Sequence, residues 1–170
     1  IEKLFINMYN YIHIQTVFWS NNMIIFEKSG IVVPGQDKTN ISLSFSVPNK
    51  IKKLIIDYEY TPKLLADKAT AYALLEKSIE TYLDCEYNAV PEDFMPVKNL
   101  ITLSLDENGS YRGAAHRQAD KQHHEISESF ASPGFIKGKI HAGKWRIVLN
   151  VHCCACKVNY NIRITGEAEI

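Results

Sequence analysis

Trp145-Arg146-Ile147-Val148-Leu149-Asn150-Val151-His152-Cys153 alternates with a period of two. Successive side chains of an extended chain point to opposite faces. Trp145, Ile147, Leu149, Val151 and Cys153 therefore share one face, and Arg146, Val148, Asn150 and His152 the other. Val158 to Ile164 alternates in the same way through Val158, Tyr160, Ile162 and Ile164. The pair is expected to form antiparallel neighbours near the centre of a sheet.

Working outward, Ile41–Val47 places Ile41, Leu43, Phe45 and Val47 opposite three serines, and Lys53–Tyr60 places Leu54, Ile56, Tyr58 and Tyr60 opposite Ile55, Asp57 and Glu59. Pro48-Asn49 lies between them, which predicts a hairpin. Met23–Phe26 and Gly30–Val33 read as short strands closed by Pro34-Gly35. Asn99–Leu105 leads into Asp106-Glu107-Asn108-Gly109, whose Asn-Gly pair suits a tight turn with positive φ. Tyr111–His124 reads as a polar loop, Glu125–Phe130 as a further strand and Ser132-Pro133-Gly134 as a turn.

One segment changes period. Thr61-Pro62 resembles a helix start, a hydroxyl cap before a proline. From about Lys63 to Leu83, residues Ala69, Tyr72, Leu75, Ile79 and Leu83 recur at spacings of three and four, which predicts an amphipathic helix. Asp84–Val97, with Pro91 and Pro96, reads as a long irregular connection. Short strands with one inserted helix indicate a mainly β fold, an antiparallel, jelly-roll-like β-sandwich. Residues 23–170 form its single domain. The apolar, Asn/Tyr-rich residues 1–22 read as an N-terminal extension without the basic region or cleavage site of a signal peptide.

Composition narrows the function classes. Nineteen basic and nineteen acidic side chains cancel, so no global field favours nucleic acid or an anionic membrane. No apolar run reaches the roughly 20 residues of a membrane-spanning helix. Three of the four cysteines crowd at Cys153, Cys154 and Cys156, unlike a secreted disulfide framework, and imply reduced thiols and a cytoplasmic location.

Two clusters offer chemistry. Arg112, His116 and Arg117 lie in one stretch followed by His123 and His124. Guanidinium forks match carboxylate or phosphate, so Arg112, His116 and Arg117 are anion-ligand candidates. Imidazoles hold transition metals, which adds His116, His123, His124 and His152 as candidates for zinc or manganese. A solvated polar loop explains the same residues. Cys153 and Cys156 form one CxxC, a chelating spacing for zinc, but a structural site needs a second pair of ligands and Cys85 stands alone. Thiols buried in a turn are the competing reading. Glu76, Glu80, Asp84 and Glu86 read as a solvated helix face. No P-loop, GxSxG or GxGxxG occurs.

Asn99–Leu105, Tyr111-Arg112-Gly113-Ala114-Ala115-His116-Arg117, Ser132-Pro133-Gly134-Phe135-Ile136-Lys137-Gly138 and Gly143-Lys144-Trp145 together resemble a bacterial domain. It is the β-sandwich domain that precedes the catalytic domain in some PHP-type (polymerase and histidinol phosphatase) metal-dependent hydrolases. The resemblance spans roughly residues 30 to 170. In such proteins the metal ligands start at an HxH motif in the downstream domain, and this sequence has no HxH. The resemblance implies a non-catalytic accessory module, with a hydrolase domain as partner in cis or trans, and assigns no role to His116 or Arg117. The chain alone is expected not to be an enzyme, and an apolar patch near Ile170 is expected. A second copy of the chain is a further candidate partner. Two alternatives remain. A small metalloenzyme would need three convergent imidazoles among His116, His123, His124, His141 and His152, and a carbohydrate-binding module would need a row of exposed aromatics on one sheet face.

Overall fold

The computed structural model describes residues 22–83 and 88–169. Its strands are β1 (Asn22–Val32), β2 (Thr39–Val47), β3 (Ile51–Thr61), β4 (Leu100–Glu107), β5 (Ser110–Ala115), β6 (Lys121–Ser127), β7 (Gly143–Cys153) and β8 (Val158–Ala168). Helix α1 (Lys68–Tyr82) and a 3-10 turn (Pro91–Phe94) lie between β3 and β4. The strands form two antiparallel sheets, sheet A in the order β1-β8-β3-β6 and sheet B in the order β2-β7-β4-β5. This is the eight-stranded jelly roll among β-sandwiches.

The alternating faces predict the core correctly. Leu54, Ile56, Tyr58, Tyr60, Val158, Tyr160, Ile162 and Ile164 of sheet A face Trp145, Ile147, Leu149, Val151, Ile101, Leu103 and Leu105 of sheet B, all buried. Each such aliphatic side chain contributes about 1.5–3 kcal/mol through its burial. Tyr58 and Tyr60 donate their hydroxyls across the core to the carbonyls of Ile101 and Asn99. Phe26 stacks on Phe45 at 5.4 Å, which joins the sheets along the β1/β2 side.

The pairing departs from expectation. β2 and β3 do not form a hairpin, because the turn at Pro48-Asn49-Lys50 carries the chain from sheet B to sheet A. β2 pairs with β7, and β3 with β6 and β8. Likewise β7 and β8 are not neighbours: each is an inner strand of its own sheet. Two half-buried strands satisfy their apolar faces equally well by pairing or by facing each other across a core. Of the consecutive strands, only β4 and β5 share a sheet, joined by Asn108-Gly109 with φ of 48° and 85°.

Other segments differ in extent. Met23–Phe26 and Gly30–Val32 belong to the one strand β1, bulged between Ile24 and Phe26, and Val33 lies just past its end. The stretch read as a loop, Tyr111–His124, contains most of β5 and the first half of β6. Thr61 ends β3, and the helix starts seven residues later, capped by Asp67, whose carboxylate accepts from the backbone N–H groups of Ala69 and Thr70. Of its residues only Ala71 is fully buried, and Tyr72 donates to Glu92 in the 3-10 turn. Cys153 leaves the apolar face of β7 because the β4–β7 register shifts between Leu100 and Ile101, and Cys154 is buried instead. The extension read over residues 1–22 lies outside the described residues except for Asn22, which opens β1. Asp84, Cys85, Glu86 and Ile170 also lie outside them.

Candidate functional site

Residues 128–140, which carry much of the family resemblance, lie across the open side of the sandwich. They hydrogen-bond to the free edge of β6 through Ser127 and Glu125, and to β5 through Ala114 and Arg112. Gly113 and Gly134 meet where the two runs cross. A Cβ on Gly113 would lie 2.4 Å from the Gly134 carbonyl oxygen, and one on Gly134 would lie 2.2 Å from that of Ala114. Both glycines also have positive φ.

Arg112 points into this crossing and not into solvent. Its guanidinium donates to the Glu107 carboxylate at 2.7 Å and to the carbonyls of Gly138 and Lys139, and it lies over the Trp145 ring. The second Glu107 oxygen accepts the His141 backbone N–H at 2.9 Å and lies 2.7 Å from His141 Nδ1. Both terminal nitrogens of Arg112 are thus engaged by the fold itself, while its buried Nε has no hydrogen-bond partner. His116 and Arg117 are exposed just past β5.

The candidate metal ligands are dispersed. His116 approaches His152, with ring centroids 6.0 Å apart, and His152 Nε2 lies 2.9 Å from Thr102 Oγ1. His123 and His124 are consecutive in β6 and therefore face opposite ways. His124 is buried against Phe135, and its burial, with the charges of Arg117 and His123, lowers its pKa to about 4. Cys153 and Cys154 sit beside α1, where burial, then the Asp37 carboxylate, raises both thiols, Cys154 to about 11. Cys154 donates to the Cys156 carbonyl, while Cys156 Sγ accepts from buried Asn99. Among the described residues no three His, Cys, Asp or Glu side chains are grouped so that they could hold a metal ion.

A different surface emerges from the register of sheet A. Directly paired residues on its outer face form rows across all four strands. Glu27–Arg163–Asp57–His123 is one row, Ser29–Asn161–Glu59–Lys121 the next, and Ile24–Thr165–Ile55–Glu125 lies on the other side of the first. Ion pairs link Glu27 to Arg163, Glu59 to Lys121, and Glu167 to both Lys52 and Lys53. His123 bridges two strands: Nδ1 lies 2.7 Å from Asp57 of β3, and Nε2 lies 3.6 Å from Glu125 of β6. The hydrogen bond to Asp57 is the main cause that raises the His123 pKa, against a smaller opposing effect of burial. A shallow hollow of about 470 Å³ opens over Asp57, Glu59, Lys121, His123, Asn161 and Arg163.

Sequence reasoning singled out His123 alone of this set. Asp57, Glu125 and Arg163 have no motif, and only the strand register brings them together. Among the described residues, the exposed aromatics Tyr82, Phe94, Tyr111 and Phe130 lie on the helix, the 3-10 turn, β5 and the 128–140 segment. They form no row on the outer face of sheet A. No helix among the described residues is long and apolar enough to cross a membrane. No family model matches the chain, and no curated protein matches it.

Proposed function

We propose that the chain is a non-catalytic accessory β-sandwich that binds a PHP-type hydrolase domain, in cis or in trans, through the outer face of sheet A. The observation that carries this reading is the plan of that face. Its least polar row, Ile24–Thr165–Ile55, is flanked by the charged row through Arg163 and Asp57 and by the Lys52–Lys53–Glu167 group. Ile24 is 56% exposed, and Met23 and Ile31 of the same strand are also exposed, at 46% and 51%. An apolar centre inside a charged rim is the usual anatomy of a protein–protein contact. The role of Arg112 in holding the 128–140 segment also supports a scaffold role for the residues that carry the resemblance.

The test is association of the purified chain with a PHP-type hydrolase domain, followed by calorimetry. Binding that weakens at least tenfold in Ile24→Asp/Ile55→Asp, with the β-sheet circular dichroism unchanged, is the expected result. No association overturns the accessory reading, and association unaffected by the double variant overturns this face. Turnover of a phosphoester by the chain alone with Mn²⁺ or Zn²⁺, lost in His116→Ala, overturns the non-catalytic assignment.

A further inference from the structure

We infer that the partner of this sheet face presents a basic side chain to the Asp57–His123–Glu125 bridge, where its charge takes the place of the His123 proton. The inference rests on the docking reading above and specifies the chemistry of the partner. A neutral imidazole has one N–H, so it donates to only one of the two carboxylates. With that hydrogen on Nδ1 facing Asp57, the Nε2 lone pair faces a Glu125 oxygen at 3.6 Å. Glu125 then keeps only Lys53, at 3.8 Å, and Lys53 is shared with Glu167 at 3.0 Å.

The charge of the whole face points the same way. β1 contributes Glu27; β3 contributes Lys52, Lys53, Asp57 and Glu59; β6 contributes Lys121, His123 and Glu125; β8 contributes Arg163 and Glu167. Apart from His123, five carboxylates oppose four cations. Protonated His123 neutralises the face, and neutral His123 leaves one negative charge in excess beside the apolar row. His123 is 59% exposed, so an incoming guanidinium or ammonium group reaches the same carboxylates. Proton and partner therefore compete, and association strengthens as pH rises through the His123 titration.

The probe is a capped tri-arginine peptide titrated into the ¹⁵N-labelled chain at about pH 5.5 and about pH 8, which bracket an ordinary or moderately raised histidine pKa. The expected result is amide shifts centred on β3, β6 and β8, with affinity roughly two- to five-fold tighter at the higher pH, the scale of one exposed charge pair. His123→Gln should bind with the higher-pH affinity at both values, and Asp57→Asn, with one carboxylate fewer, should bind more weakly than the wild type at each. Equal wild-type affinity at the two pH values, or shifts centred elsewhere, overturns the inference. The amide spectra report directly that each variant is folded. Failure of the hydrolase domain to associate sinks the accessory reading alone, whereas pH-independent peptide binding sinks this inference alone.

Discussion

Glu107 and Arg112 face each other at 2.7 Å beneath the β4–β5 turn, with side chains only 7% and 10% exposed. Both hold the connection that leads into β7: Glu107 fixes His141, and Arg112 fixes Gly138 and Lys139. Truncating one partner of a buried pair strands the other charge, which costs about 3–5 kcal/mol. Arg112→Met is expected to lose that much stability in urea denaturation, and Arg112→Met/Glu107→Leu to lose less. A double variant at least as unstable as the single would show that the pair is not the main contribution.

The crossing at Gly113 and Gly134 leaves no space for a methyl group. Gly113→Ala combines a positive-φ penalty with a backbone clash, and it should lose at least about 2 kcal/mol. Thermal unfolding measures it. A loss below about 0.5 kcal/mol, the size of an ordinary surface change, would mean that the segment moves freely off β5.

Buried His124 should make stability depend on pH. Its folded pKa is lowered to about 4, whereas an unfolded histidine titrates near 6.5. Between these values the unfolded chain holds more protons, so stability is complete above about 6.5 and falls as pH drops toward about 4. The loss is on the order of 2–3 kcal/mol. In His124→Leu, the difference in unfolding free energy between about pH 7 and about pH 4.5 should shrink by a comparable amount. An unchanged pH profile would assign the acid sensitivity to other groups.

The Cys154 thiol, raised to about 11 and buried, should be a poor nucleophile at neutral pH. Iodoacetamide at about pH 7.5 is expected to leave Cys154 unmodified in the folded chain and to alkylate it in urea. Peptide mass spectrometry distinguishes the two. Rapid native alkylation would contradict both the burial and the raised pKa.

The faces of β2, β3, β7 and β8 were legible in the sequence because alternation is a local property. Their partners were not, since the same apolar face fits a hairpin or the opposite wall of a core. β5 escaped notice because Gly113-Ala114-Ala115 lacks β-branched side chains, and its extended form depends on β4 and the 128–140 segment. β6 was hidden because its inward positions Gln122 and His124 are polar, which inverts the usual pattern. The candidate face was less legible still. Asp57, His123, Glu125 and Arg163 come from three strands, and no spacing along the chain encodes a cross-strand row.

The order of sheet A also constrains when the domain can form. β8 is paired on both sides, with Asn22 opposite Glu167 and Ile51 opposite Ala168. During synthesis β1 and β3 therefore wait for a central strand that follows every other strand of the two sheets in the chain. Local hairpin formation is confined to β4 and β5, so most pairing is long-range and slow. Until β8 arrives, the unpaired edges of β1 and β3 are open to intermolecular strand pairing.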